Sequence, residues 1–92
     1  MKKNLGLFTK YKIFHRIKNF NASKIYYIDE CNISCSVTRS TLTSMGYLVQ
    51  TESNITNVLI NITFFIPDII IIDINDKYDS IDLLNKIQTK FG

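Results

Sequence analysis

Three acids stand where carboxylate chemistry could be done: the adjacent pair Asp29-Glu30, and Asp73, which ends the run PDIIIID at positions 67–73. An unpaired carboxylate buried at the end of four isoleucines would cost several kcal/mol, so an acid placed there must emerge at a solvent-facing tip or meet a partner. Carboxylates brought together repel unless a cation neutralises them. A hard, oxygen-seeking ion such as Mg²⁺ suits them, since it takes one or two carboxylates plus water and phosphate oxygens. The backbone carbonyl of Asn75, two residues past Asp73, is a candidate further ligand. An aspartate in such a place can also act as a nucleophile toward phosphorus and form an aspartyl phosphate.

The acids need a frame, and the punctuation of the chain supplies one. Lys24 to Asp29 (KIYYID) is β-branched and aromatic and reads as a buried strand ending in acid. Ile33, Val37, Leu42 and Met45 then recur at helical spacing, and Gly46 closes that helix. Tyr47 to Thr51 (YLVQT) is a second strand. Ser53 or Asn54 caps a second helix with Ile55, Val58, Leu59, Ile62 and Phe65 on its inner face. Pro67 stops that helix, and DIIIID forms a third strand, apolar on both faces. Asp79 or Ser80 caps a third helix carrying Ile81, Leu84, Ile87 and Phe91. This alternation predicts an α/β fold: a parallel sheet covered by helices. In such sheets ligands bind beyond the carboxyl ends of the strands, which is where Asp29, Glu30 and Asp73 converge if the first and third strands are neighbours.

Composition narrows the classes. At 92 residues, 46% hydrophobic and 21% charged, the chain holds one small globular domain. No apolar run has the length of a membrane span. Ile, Asn and Lys supply about a third of all residues, far above ordinary usage, which points to an AT-rich genome such as an organelle's. The pair Cys31 and Cys35 has neither redox nor common zinc spacing and reads as two small apolar residues on one helix face. The net charge of +3 hides a split. Lys2, Lys3, Lys10, Lys12, Arg16, Lys18 and Lys24 precede Asp29 with no acid among them, whereas all 8 acids lie from Asp29 onward. Residues 1–23 therefore form a basic extension. Leu7, Tyr11, Ile13, Phe14, Ile17 and Phe20 share about half a helical wheel there, so an amphipathic helix is expected. Its charge suits weak, salt-sensitive contact with nucleic acid or anionic lipid.

Residues 24–92 resemble the first part of a response-regulator receiver domain, the phosphoacceptor module of two-component signalling. IYYIDE resembles its first strand and acidic pair, SMGYLVQTESN its helix–Gly–strand passage, FFIPDIIIIDI its proline-led third strand, and DSIDLLNKIQTKFG the helix that follows. The resemblance implies a flavodoxin-like fold, here partial: three parallel strands in the order 2-1-3 with three helices. It implies that Asp73 is the phosphoacceptor, that Asp29, Glu30 and Asp73 hold Mg²⁺ with the carbonyl of Asn75, and that a sensor histidine kinase donates the phosphoryl group. The expected role is phosphorelay signalling in transcriptional regulation, as an acceptor module rather than an enzyme. Some algal plastid genomes encode such regulators, which agrees with the Ile/Asn/Lys bias; a plastid, or otherwise the cytoplasm, is the expected location.

The departures are specific. Lys77 stands where the family usually has a proline, and Tyr26 and Tyr27 replace small aliphatics. The chain stops after the third helix, without the fourth and fifth strands and the switch Ser/Thr and lysine they carry. A third strand left as an apolar edge would invite pairing or aggregation. Three outcomes are open: the basic segment covers that edge, another polypeptide completes the sheet, or the chain is a remnant. The alternative function is accordingly a non-phosphorylated module that assembles through the exposed third strand.

Overall fold

The computed structural model describes residues 6–9, 12–15 and 24–92, with side chains from Lys24 onward. Three strands are those expected: β3 (Lys24–Asp29), β4 (Leu48–Glu52) and β5 (Ile69–Asp73). β3 lies between the other two and is parallel to both, which is the 2-1-3 order. Three α-helices alternate with them: α1 (Asn32–Ser44), α2 (Val58–Phe65) and α3 (Lys77–Phe91). A single 3₁₀ turn, Ile55–Asn57, leads into α2, and Asn54 caps it by accepting from the Thr56 N–H at 3.1 Å.

The N-terminal segment departs from expectation. Instead of a helix, Gly6–Thr9 and Lys12–His15 form two strands, β1 and β2, paired antiparallel. β1 runs parallel to β5 in the register Gly6↔Ile69 to Thr9↔Ile72, so the sheet reads β2-β1-β5-β3-β4. The physical reason is the edge itself. A short isolated helix is marginal in water, whereas β5 would otherwise carry unpaired N–H and C=O groups along its whole flank. Pairing overrides the half-wheel pattern. The open edge expected on the third strand is therefore occupied. Tyr11, Ile17 and Phe20 of that pattern, together with Lys2, Lys3, Lys10, Arg16 and Lys18, lie outside the described residues.

The core sits on one side of the sheet. Tyr26 and Ile28 of β3 and Ile70 and Ile72 of β5 pack with Ile74, Val58 and Ile62 from α2, and Leu83, Leu84 and Ile87 from α3. On the opposite face α1 covers β3 and β4, with Cys35 buried beneath it. The strand period of two assigns these faces: Ile70 and Ile72 are fully buried, while Ile69, Ile71 and Asp73 are half-buried on the α1 side.

Helix boundaries show where local chemistry decides. α1 ends in a Schellman motif, the Gly46 N–H donating to Thr43 and the Tyr47 N–H to Leu42, with Gly46 at φ +95° as only glycine readily allows. α2 ends on Ile66 at φ +51°, an uncommon conformation for a β-branched residue. Pro67 follows and disfavours a right-handed helical Ile66, so the strain sits where the chain must turn. Asp68 then binds β5 to β3: its N–H donates to the Lys24 carbonyl at 2.8 Å, and its carboxylate accepts from the Lys24 N–H at 3.0 Å.

Several readings of helix caps and faces are corrected. α3 is capped by Asp76, which accepts from the Asp79 N–H at 3.0 Å, not by Asp79 or Ser80. Ser80 instead is buried and donates its hydroxyl to the Ile74 carbonyl, while Ile81 faces outward and Leu83 inward. On α1, Ile33, Val37 and Met45 are exposed, and Cys35, with Thr38 and Leu42 half-buried, forms the inner face. Cys31 is exposed as well, so the two cysteines do not share a buried face.

Candidate functional site

Asp29 and Asp73 are the last residues of β3 and β5, and they face each other in the parallel register. Adjacency of β3 and β5 is what creates the site, because no local sequence feature could bring residues so far apart together. Asp29 is buried and Asp73 half-buried, so each carboxylate leaves the apolar strand at the rim.

Their surroundings differ from the expected cation cluster. The Tyr27 hydroxyl lies 2.8 Å from Asp29 Oδ2 and 3.1 Å from Asp73 Oδ2. Tyr27 is two residues before Asp29 and so projects from the same face of β3. A phenol has one proton to donate, so it serves the two carboxylates by turns or shares that proton between them. Asp29 has a second commitment: its Oδ1 accepts from the Cys31 N–H at 3.0 Å. That contact places a negative group at the N-terminal end of α1, which has no acid in its own first turn. Glu30 sits on the exposed bend after β3, and Asn75 is exposed between β5 and α3. Of the residues singled out from the sequence, the fold joins Asp29 and Asp73. It gathers no group of three His, Cys, Asp or Glu side chains able to hold a metal among the described residues.

Mg²⁺ takes one or two carboxylates and completes its octahedron with water and phosphate oxygens. Asp29 and Asp73 are the two acids that the register brings together, and one oxygen of each is engaged by the Tyr27 hydroxyl. Sequence reasoning noted Tyr27 only as a departure from small aliphatics. The signal available was its i, i+2 relation to Asp29; what was missing was the register that brings Asp73 beside both.

Both strand tyrosines are held protonated. Burial chiefly, then the hydrogen bond to Asp29 and the proximity of Asp73, push the Tyr27 hydroxyl well above its usual range, against an opposing contact from Thr38. Burial raises Tyr26 from 10.0 to about 12, opposed by the hydrogen bond from Asn61. Asn61 Nδ2 donates both to the Tyr26 hydroxyl, at 3.1 Å, and to Glu52 Oε1, at 2.7 Å. A raised tyrosine value means the fold favours the phenol over the phenolate. The associated stability is complete below the ordinary value of 10.0 and is lost as pH rises through about 12. Tyrosinate absorbance and helical circular dichroism followed together above pH 10 should show Tyr26 and Tyr27 ionising only as the helix signal disappears. Complete ionisation of all 5 tyrosines with the helices intact would contradict this burial.

Among the described residues no helix is long and apolar enough to cross a membrane. Comparison with models of known families, with curated proteins and with solved structures finds no match to this chain.

Proposed function

We propose that this chain is a receiver-like phosphoryl-accepting module with a flavodoxin-like arrangement, in which Asp73 is the acceptor and a sensor histidine kinase the donor. The observation that carries the reading is the register Asp29↔Asp73, which sets two acids side by side at the carboxyl ends of neighbouring parallel strands. β1, parallel to β5 on its outer side, lends further support, since it takes the place that the family's fourth strand occupies. In the proposed reaction an Asp73 carboxylate oxygen attacks phosphorus. An O–P bond forms, the N–P bond of a phosphohistidine breaks, and its electron pair returns to the imidazole nitrogen. The Cys31 N–H holds Asp29 in place during this transfer; Mg²⁺, when bound, would be held by Asp29 and Asp73 and would offset the charge on the phosphoryl group. Control of transcription and an origin in an AT-rich organellar genome such as a plastid's complete the proposal.

The test is labelling of the full chain by acetyl phosphate, with and without Mg²⁺. Acid-stable, base-labile phosphate should appear on Asp73 and be absent from Asp73→Asn. No label, under conditions that label an ordinary receiver, would refute the reading. A second reading is favoured by one observation, the engagement of both carboxylates by Tyr27: the pair is a structural lock in a non-phosphorylated interaction module. The absence of label with an intact fold is the result it expects. Assembly through a bare third strand is not part of it, since β1 pairs there.

A further inference from the structure

Four strands start at one end of the sheet. Gly6 pairs with Ile69, Ile69 with Ile25, and Lys24 with Leu48, so β1, β5, β3 and β4 all begin there. The helices run back from the opposite end and close at this one. It therefore also receives Met45 after α1, Phe64 in the last turn of α2, Ile66 just beyond it, and Lys90 in the last turn of α3. Met45, Leu48 and Ile66 are each more than half exposed, and Phe64 is 78% exposed. α2 (VLINITFF) has no charged side chain, although a helix facing water ordinarily carries charge on its outer face. Ile60, one turn before Phe64 and about 6 Å further from the end by helical rise, is exposed as well. Apolar side chains gathered in this way mark a contact surface. Ile33 and Val37 of α1 and Tyr78 and Ile81 of α3 are also exposed, but on opposite faces of the sheet, and they form no common surface.

The charges are sorted along the same axis. Of the 8 acids, only Asp68 lies at this end, and its carboxylate accepts from the Lys24 N–H at 3.0 Å. Asp29, Glu30, Glu52, Asp73, Asp76 and Asp79 stand at the carboxyl ends of strands or shortly beyond, and Asp82 is paired with Lys86 at 2.9 Å along α3. The bases at the apolar end sit against rings: Lys24 Nζ is 4.9 Å from the centre of Phe65, and Lys90 Nζ is 5.5 Å from that of Phe91. By sequence, residues 1–5 and 16–23, which adjoin Gly6, His15 and Lys24, add Lys2, Lys3, Arg16 and Lys18 and no acid. A second copy docked symmetrically here would set bases against bases. A lipid surface with anionic headgroups meets both properties at once, taking apolar side chains into its acyl boundary and bases at its phosphates. We propose that the amino-terminal end of the sheet docks on an anionic bilayer, with Met45, Leu48, Phe64 and Ile66 entering the headgroup–acyl boundary and Lys24 and Lys90 meeting the headgroups. The offset from Phe64 to Ile60 matches the roughly 5–10 Å to which such surfaces sink. Asp29 and Asp73 then face away from the lipid, into water, so the docking does not depend on the function proposed above.

The experiment is flotation of the full chain with vesicles of equal parts phosphatidylglycerol and phosphatidylcholine, and with vesicles of phosphatidylcholine alone. The chain is expected to float with the anionic vesicles and to partition at least about tenfold less onto the neutral ones. Phe64→Ser should lower partitioning onto the anionic vesicles by about tenfold, the factor for losing one large apolar side chain from the boundary. Because Phe64 is exposed, that change leaves the core intact; Met45→Ser, on a different element, gives the same reading should the serine chain fail to fold by circular dichroism. Tyr78→Ser removes a side chain that is 83% exposed at the other end of the molecule and should change nothing. Absence of flotation would overturn the proposal, as would equal losses from Phe64→Ser and Tyr78→Ser. Displacement by duplex DNA together with indifference to Phe64→Ser would assign the contact to charge alone and overturn it too. A lipid-free dimer in sedimentation velocity that Phe64→Ser dissolves would make a second copy the cover of this surface, against the proposal.

Discussion

Ile72→Ala should remove about 2–5 kcal/mol of stability, the range for truncating a large aliphatic side chain in a core. A chain of 92 residues has roughly 5–14 kcal/mol in total, so this single change uses a large share of it. Ile72 has no exposed surface, and it packs in the cluster formed with Val58 and Ile62 of α2 and Leu84 and Ile87 of α3. The cavity left by the lost methyl groups would lie between a β-strand and two helices, where backbone collapse is restricted on both sides. Ile71 is the internal control. It is one residue earlier, points to the α1 side and is half-buried, so Ile71→Ala should cost distinctly less. Urea unfolding followed by circular dichroism gives both values from the midpoint and slope. Equal losses, or a larger loss at Ile71, would mean that β5 does not present its even-numbered residues to α2 and α3.

The second large effect concerns the N-terminal strands. A chain beginning at Lys24 should shift to larger species in sedimentation velocity than the full chain at the same concentration. Removing β1 strips β5 of the partner that spans Gly6↔Ile69 to Thr9↔Ile72. The flank uncovered belongs to the strand IIIID, rich in β-branched residues, without proline and with charge only at its end. Exposed edges of that kind pair with whatever strand is available, including a second copy. The same deletion removes Lys2, Lys3, Lys10, Lys12, Arg16 and Lys18 and no acid, which turns the net charge from +3 to −3 without reducing its size, so any association is driven by the exposed edge and not by weaker repulsion. A truncated chain that sediments simply as a smaller monomer, and unfolds at the same midpoint as the full one, would show that β1 adds nothing to the sheet.

These expectations also bear on the two readings of function. If the acid pair is a phosphoryl acceptor, β5 must be rigid, because a carboxylate misplaced by an ångström reacts poorly. The cover supplied by β1 on one side and β3 on the other then serves chemistry as well as solubility. If the pair is a structural lock, the same rigidity serves assembly alone. Labelling of Asp73 distinguishes the two cases, and neither depends on the other predictions.

The sequence by itself determined the three parallel strands and the helices between them, and the reasons are local. KIYYID and DIIIID are short, apolar and β-branched, Pro67 cannot continue a helix, and Gly46 can take the positive φ that ends one. It also determined that Asp29 and Asp73 lie at strand ends, because each directly follows an apolar run. Tertiary structure decided the rest. α1 offers two possible inner faces, one through Ile33 and Val37 and one through Cys35, Thr38 and Leu42. The position of the helix over β3 and β4 selected the second, leaving two large aliphatics exposed. Residues 6–15 fit half a helical wheel, yet four-residue strands gain enough from the vacant flank of β5 to form instead. Such strands have no stability alone and exist only where a partner offers unpaired backbone groups. The contact of the Tyr27 hydroxyl with both acids belongs to this class too. Strand period gives Tyr27 and Asp29 a common face, but only the register of β3 on β5 places Asp73 against the same hydroxyl. Patterns within a strand or helix are encoded in neighbouring residues, whereas faces, edges and shared protons arise from contacts between segments far apart in the chain.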